Sequence, residues 1–161
     1  MIRQAERKDA SRLAEILIFA KRAAYRPIFK NDKISFNEMQ VLDLALAFRD
    51  NEGGVDDLFV YDDGIVKGLI KWGKEWNSET YIRIHELYVD TFFQDQGIGC
   101  SLLDDCINNS KKQNFNKIVL WVLEENKKAR AFYEKHGFRY DGIHRVEDGT
   151  TVGVLEYVLN L

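Results

Sequence analysis

Two glycines, Gly97 and Gly99, mark the junction that most constrains the fold of this 161-residue chain. They follow an apolar, strand-like run at 82–89 and precede a helix-like run at 101–107. A further apolar run at 117–123 is typical of a buried strand. A strand, a helix and a second strand in this order predict a right-handed parallel crossover.

The same junction predicts an anion-binding site. The first N–H groups of a helix have no internal acceptor and carry a partial positive charge, and glycines leave these groups uncovered. Such a turn holds a phosphate without needing a lysine. We therefore expect a ligand that carries a pyrophosphate between the strand and the helix. A turn that needs glycine only for its positive φ is the alternative.

Hydrophobic periodicity and turn residues predict the remaining elements. Strands are expected at 2–6, 57–62, 65–72, 81–89, 117–123, 138–145 and 152–159, and helices at 10–24, 36–48, 101–113 and 126–136. Residues 25–33, which include Pro27, are expected to form a loop. Because hairpin-linked strands are interspersed with helices, the expected fold class is α/β (α+β), with a mixed sheet of about seven strands and about four helices.

Composition fits a single domain over residues 1–161, with 45% hydrophobic residues to supply a core. A net charge of −3 gives no general attraction to nucleic acid or to an anionic membrane. No apolar run approaches the roughly 20 residues that span a bilayer. Cys100 and Cys106 would face different directions on one helix, so two unpaired thiols indicate a reducing, cytoplasmic location.

Two familiar phosphate motifs do not match the glycine turn. A dinucleotide-binding fold requires a third small residue where Leu102 stands, and its motif follows the first strand of the domain. A P-loop ends in Gly-Lys-Ser/Thr, whereas Cys100 and Ser101 occupy this place. The element order therefore disfavours a nucleotide-binding oxidoreductase. The three histidines also lack the ligand spacing of a metal site.

A second informative segment runs from Asn126 to Phe138. Asn126, Arg130 and Tyr133 share one face of the expected helix, at spacings of four and three residues. Asn126 is a favoured N-cap residue, and Gly137 is a favoured stop. Taken alone, this segment also fits an ordinary amphipathic helix.

Together, the two segments resemble the GNAT superfamily of acetyl-CoA-dependent N-acyltransferases. Gln94 to Gly99 is similar to the family's pyrophosphate motif, Gln/Arg-x-x-Gly-x-Gly/Ala. Asn126 to Phe138, read as Asn-x-x-Ala-x-x-x-Tyr-Glu-Lys-x-Gly-Phe, is similar to the motif of its fourth helix. The element order agrees with the family over essentially the whole chain.

The resemblance implies a splayed sheet, in which strands 81–89 and 117–123 separate and the pantetheine arm of acetyl-CoA enters between them. No metal is implied. The implied coenzyme contacts are Leu87, Tyr88 and Val89 through their backbone, the turn Gln94-Asp95-Gln96-Gly97-Ile98-Gly99-Cys100-Ser101, and the helix residues Asn126, Arg130 and Tyr133.

The chemistry needs a neutral amine and a departing thiolate that receives a proton. By its place in the motif, Tyr133 matches the family tyrosine that donates this proton. A phenol is protonated at neutral pH and can therefore serve as the acid. The alternative is that Tyr133 only positions the sulfur. His85 is favoured over Glu86 as the base, since histidine titrates near neutrality. A bulge in the strand would change which of the two faces the substrate.

The acceptor side is expected to carry an aromatic wall that includes Tyr25, Trp72 and Trp76. The expected reaction is direct acetyl transfer from acetyl-CoA to a primary amine: a small amine, a polyamine, or an amine of a protein or peptide. A non-catalytic module that binds or senses acyl-CoA is the alternative. The chain is expected to be a monomer or a homodimer.

Overall fold

The computed structural model describes residues 1–31, 39–51, 54–75 and 78–161. Within these residues it contains seven strands and four α-helices, which confirms the mixed α/β fold. The strands are β1 (Ile2–Gln4), β2 (Leu58–Asp62), β3 (Val66–Lys74), β4 (Tyr81–Val89), β5 (Lys117–Leu123), β6 (Arg139–Val146) and β7 (Gly153–Asn160), and the helices are α1 (Ala10–Phe29), α2 (Val41–Asp50), α3 (Ile98–Lys112) and α4 (Lys127–Lys135).

The strands form one sheet in the order β1-β2-β3-β4-β5-β7-β6. β1 with β2, β2 with β3, β5 with β7, and β6 with β7 are antiparallel pairs. β4 and β5 are parallel, as the strand–helix–strand pattern predicts. Their register runs from Tyr81–Lys117 to Ile84–Leu120, whereas β4 continues for five further residues and β5 for three.

The chain divides into two compact units. The first comprises Met1–Trp72 and Glu86–Cys106. Its core is an apolar cluster built mainly by α1, β2 and β3, whose members are Ala5, Leu13, Ile16, Leu17, Ile18, Leu58, Val60, Val66 and Leu69. The helix contributes residues at the three- and four-residue spacing that the sequence shows. The single-domain organisation stays a prediction.

The second unit comprises Gly73–His85 and Ile107–Leu161. Its centre is β5, which pairs with part of β4 on one side and with β7 on the other. β5 is almost continuously buried, as its apolar run predicts. Phe138 and Tyr157 are fully buried.

The first helix is longer than predicted. α1 continues through Pro27 to Phe29 and ends at Lys30, which adopts a left-handed φ of 51°. The expectation of a loop at 25–33 is therefore wrong up to Phe29, and the end of that range lies outside the described residues. Proline removes one backbone donor near the helix end, but the rings of Tyr25 and Phe29 pack edge-on at 5.8 Å and support the final turns.

The starts of α2 and α3 also differ from expectation. α2 begins at Val41, whereas residue 36 was expected, and residues 36–38 lie outside the described residues. α3 begins at Ile98 instead of residue 101, because Gly97 takes a left-handed φ of 81° and turns the chain directly into the helix. Gly99 and Cys100 therefore belong to the first helical turn.

Candidate active site

A buried carboxylate follows β4 and fixes the direction in which the chain leaves the sheet. Asp90 is only 8% exposed. Its carboxylate pairs with Arg12 of α1 and accepts a hydrogen bond from the backbone N–H of Phe92 at 2.8 Å. Its own N–H donates to the carbonyl oxygen of Lys67 in β3 at 2.9 Å. Since a buried carboxylate is costly without a partner, Arg12 stabilises this position.

The glycine turn lies next in the chain, and residues 94–97 are exposed. Asp95 and Gly97 adopt left-handed φ values of 61° and 81°. Ser101 is the first residue whose N–H bonds back to the turn, at 3.0 Å from the carbonyl oxygen of Gly97. The N–H groups of residues 98–100 precede it and have no acceptor within the helix. Ile98 is buried and anchors the start of α3.

Gly68 of β3 permits this helix start to lie close to the sheet. A Cβ atom at Gly68 would lie 3.0 Å from Ile98 Cγ2, 3.1 Å from Leu102 Cδ1 and 3.1 Å from the carbonyl oxygen of Tyr88. Sequence reasoning missed this residue. The available signal was an isolated glycine within a strand, which often marks a close backbone approach.

Two side-chain pairs join α1 to the last part of β4. Lys21 Nζ lies 2.8 Å from Glu86 Oε1, and the hydroxyl oxygens of Tyr25 and Tyr88 lie 2.8 Å apart. Lys21 Nζ also lies 5.6 Å from the centre of the Tyr88 ring. The structure thus brings together three residues predicted from sequence, Tyr25, Glu86 and Tyr88. It adds Lys21, which the sequence analysis missed.

The two candidate bases occupy different surroundings. His85 is exposed, whereas Glu86 is half-buried and ion-paired with Lys21. Neighbouring residues of a strand point to opposite faces of the sheet. Because Glu86 faces α1, the side chain of His85 is expected to point to the other face. The choice of base stays a prediction.

α4 begins and ends as the sequence predicts. The side-chain oxygen of Asn126 accepts a hydrogen bond from the N–H of Ala129 at 3.2 Å, and Gly137 ends the helix with a φ of 91°. Tyr133 is half-buried, and its ring packs edge-on against Phe138 at 5.6 Å. The helix therefore holds the phenol of Tyr133 on a well-defined support.

Arg130 connects α4 to β7 and to the turn that follows β5. Its Nε donates to the hydroxyl of Tyr157 at 3.0 Å, and its Nη1 donates to the carbonyl oxygen of Glu124 at 3.0 Å. The Tyr157 hydroxyl in turn donates to Glu134 Oε1 at 2.6 Å. Burial, together with this bond to a carboxylate, raises the pKa of Tyr157. Arg130 thus has a structural role, and its predicted coenzyme contact stays a prediction.

A charged cluster covers part of the sheet in the second unit. Arg83 of β4 pairs with Glu75 and with Glu156 of β7. The Trp121 ring lies between two guanidinium groups, 5.7 Å from that of Arg83 and 4.3 Å from that of Arg145. The carboxylates and guanidinium groups largely neutralise one another.

The predicted aromatic wall is only partly described. Trp72 is 7% exposed, and its ring stacks on Phe59 at 5.3 Å. Trp72 therefore packs within the core beside β2, and its contact with the acceptor stays a prediction. Trp76 lies outside the described residues. Tyr25 is half-buried, and its contact with the acceptor likewise stays a prediction.

The described residues contain neither a metal-binding cluster nor a helix suited to cross a membrane. They contain no group of three or more histidine, cysteine, aspartate or glutamate side chains that could hold a metal ion. None of their helices combines the length and the apolar character that crossing a membrane requires.

Comparison with known families gives one clear match. The family model described as "Acetyltransferase (GNAT) family" matches residues 13–138, which is most of the chain. An uncharacterized N-acetyltransferase of Methanocaldococcus jannaschii is 36% identical over 75 residues, covering 47% of this chain and 33% of the relative. In this and two further curated relatives, the match spans 33% to 58% of the relative's own length.

Solved structures share the fold over nearly the whole chain. The crystal structure of Ard1 from Thermoplasma volcanium aligns with a TM-score of 0.69 and 23% identity, covering 100% of this chain and 97% of that one. PaiA N-acetyltransferase from Thermoplasma acidophilum, in complex with coenzyme A, aligns with a TM-score of 0.72 and 18% identity, covering 97% and 96%.

Proposed function

Because this chain belongs to the GNAT acetyltransferase family, we propose that it transfers an acetyl group from acetyl-CoA directly to a primary amine. The observation that carries the proposal is the turn after β4. Its Gln94-x-x-Gly-x-Gly sequence leads into α3 with the N–H groups of residues 98–100 lacking a helical acceptor. These donors suit the pyrophosphate of coenzyme A.

The anchoring of the turn supports this role. Asp90 holds the chain where it leaves β4, and Gly68 lets α3 begin close to the strand. We propose that Gln94 to Ser101 contact the pyrophosphate and that Leu87, Tyr88 and Val89 pair through their backbone with the pantetheine arm, as an added strand does. The ladder between β4 and β5 has its last registered pair at Ile84, before this segment begins.

The chemical step needs an acid and a base. We assign proton donation to the departing thiolate to Tyr133, whose ring α4 holds against Phe138. We assign proton removal from the amine to His85 or Glu86. General acid–base catalysis by one such group contributes roughly 10²- to 10⁴-fold in rate. No metal takes part in the proposed reaction.

The acceptor is a primary amine, in a small molecule, a polyamine or a peptide, and Tyr25 is the described candidate for contacting it. We further propose a reducing, cytoplasmic setting. Cys100 and Cys106 support this, because they form no disulfide in the described part of the chain. The assembly is proposed to be a monomer or a homodimer.

The coenzyme site is tested with two matched glycine variants. Gly97 and Gly149 both adopt left-handed φ values, 81° and 72°, and a Cβ atom at either would meet nothing within 4 Å. Valine at each position is therefore strained to a similar extent, by about 1–2 kcal/mol. Calorimetric titration should show coenzyme A binding weakened about tenfold in Gly97→Val and unchanged in Gly149→Val. Equal affinities in the two variants would place the pyrophosphate elsewhere.

Turnover is tested by thiol release from acetyl-CoA with a panel of small amines, polyamines and peptides. Release of coenzyme A together with an acetylated amine is the expected result. A chain that binds acetyl-CoA tightly but releases no thiol with any amine is instead a non-catalytic sensing module, the second candidate function. Absence of coenzyme binding would reject both functions.

A further inference from the structure

Lys21 is a partly buried amine beside the strand segment assigned to the coenzyme. It lies on α1, and its side chain is 12% exposed. Its Nζ lies 2.8 Å from Glu86 Oε1 and 5.6 Å from the centre of the Tyr88 ring. Glu86 and Tyr88 are the neighbours of Leu87, whose backbone we assign to the pantetheine arm.

These contacts hold an amine in place beside the proposed coenzyme segment. A carboxylate attracts the ammonium ion and can remove its proton, and an aromatic face favours a cation within about 6 Å. An amine held beside a bound thioester also reacts as part of the same molecule, which raises its effective concentration by several orders of magnitude.

We propose that Lys21 is an internal acceptor and that the protein acetylates itself there. The inference rests on the proposed acetyl transfer. The Lys21 ammonium ion first gives one proton to Glu86, and the neutral nitrogen then attacks the thioester carbon, so that a C–N bond forms and the C–S bond breaks. The ammonium ion loses two protons, one to solvent through Glu86 and one to the departing sulfur. The products are acetyl-Lys21, coenzyme A with a free thiol, and one released proton.

Acetylation of Lys21 changes the charge beside β4. The amide is neutral, so Glu86 loses its cationic partner and the Tyr88 ring loses its cation contact. A cationic acceptor that approaches the modified protein then meets an unpaired carboxylate instead of an ion pair. The modification thereby changes which amines the acceptor side attracts.

Two other lysines separate internal transfer from chemical acetylation. Lys8 is 68% exposed and therefore reports the reaction with acetyl-CoA in solution. Lys67 has surroundings like those of Lys21, since its Nζ lies 2.7 Å from Asp63 and 4.6 Å from the centre of the Phe93 ring. Phe93 precedes the pyrophosphate turn, however, so Lys67 lies beside the end of the coenzyme that does not react.

The experiment incubates the whole chain with acetyl-CoA and no added amine, and follows each lysine by peptide mass spectrometry. The expected result is acetylation of Lys21 at least about tenfold faster than of Lys8 or Lys67, with a rate per molecule that does not change when the protein is diluted. The urea-unfolded chain should show no preference for Lys21.

Two variants complete the test. Lys21→Arg keeps a cation for Glu86 and should remove the single fast acetylation. Glu86→Gln removes the carboxylate and should slow acetylation of Lys21 at least about tenfold. Lys21 that reacts no faster than Lys67 overturns the inference. If thiol is still released with external amines, the proposed function survives that result; if coenzyme A does not bind at all, both fall.

Discussion

At the scale of single residues, the proposed chemistry depends on side chains that defined contacts hold in position. Tyr133 stands on a helix with a defined N-cap at Asn126 and a glycine stop. Glu86 is held by Lys21. A side chain whose neighbours hold it in one position can lose a single functional group while the fold is kept. Its chemical role can therefore be measured separately from its role in packing.

Replacing Tyr133 by phenylalanine removes the hydroxyl and keeps the ring contact with Phe138. We expect kcat to fall about 10²-fold, with the Kd for coenzyme A nearly unchanged, because the thiolate then leaves without its proton donor. Tyr140→Phe is the matched control, since Tyr140 is exposed on β6 and should keep full kcat. Steady-state thiol release and calorimetry supply the two quantities. A variant with full kcat would limit Tyr133 to packing.

The base is assigned by comparing His85→Gln with Glu86→Gln at saturating acetyl-CoA. The variant that loses the base should lose about 10²-fold or more in kcat and should show a changed pH profile. The other variant should stay within a few-fold of the parent. Glu79→Gln, at an exposed position, provides the control. Full activity in both variants would exclude a side-chain base from this part of β4.

The Arg3–Asp9 pair predicts a pH dependence of stability. The carboxylate of Asp9 accepts hydrogen bonds from both terminal nitrogens of Arg3, at 2.8 and 2.9 Å, and from the N–H of Glu6. Its pKa is lowered below the ordinary value of 3.8, first by the bonds to Arg3. A lowered pKa in the folded state stabilises the protein above the unfolded value, and this contribution is lost as the pH falls through the folded value.

Asp9→Asn should therefore cost about 1–3 kcal/mol in the free energy of unfolding at pH 7. The difference from the parent should shrink as the pH falls below 3.8. Asp50→Asn is the control, because the Arg49–Asp50 pair is exposed and adds little. Urea titrations from pH 7 to acid supply the curves. A difference that is constant over this range would mean that Asp9 acts without its charge.

At the scale of elements, the sequence predicts best those features that depend on neighbouring residues. The bounds of β4 and β5 follow from apolar runs with clear ends, and the cap of α4 follows from Asn126 and Gly137. The end of α1 does not, because contacts of Tyr25 keep the chain helical past a proline. Pairs such as Arg12–Asp90, 78 residues apart in the chain, leave no local signal at all.

The close approach of β3, β4 and α3 is tested by Gly68→Ala. The added Cβ would press on Ile98 and on the Tyr88 carbonyl, so we expect a loss of about 1–3 kcal/mol in stability together with weaker coenzyme binding. Gly64→Ala is the matched control. Its Cβ would meet nothing within 4 Å, but its φ of 109° disfavours alanine. It should lower stability and leave the Kd for coenzyme A unchanged, as measured by urea unfolding and calorimetry.

At the scale of the whole molecule, family membership narrows the function more than the fold alone does. An α/β sheet with flanking helices hosts many activities, and the backbone turn after β4 is the feature that we propose binds a pyrophosphate ligand. The acceptor depends instead on side chains that vary most freely between related proteins. The coenzyme is therefore predictable from this chain, whereas the acceptor requires the amine panel.

Binding of the coenzyme should raise the melting temperature of the whole chain. A ligand that binds only the native state, at a concentration 100 times its Kd, adds about 2.7 kcal/mol of stability. For a chain of this size, each kcal/mol raises Tm by roughly 2–4 °C. We therefore expect acetyl-CoA to raise Tm by about 5–11 °C under these conditions, with NAD and ATP at the same concentration giving much smaller shifts, in a fluorescence melting assay. Gly97→Val, with its tenfold weaker binding, should lose about half of the shift, and Gly149→Val should keep it. A shift by ATP equal to that of acetyl-CoA would show that the turn recognises phosphates without selecting coenzyme A. Both ligands contain adenosine with linked 5′-phosphates, whereas acetyl-CoA alone carries a 3′-phosphate and the pantetheine arm that β4 is proposed to bind.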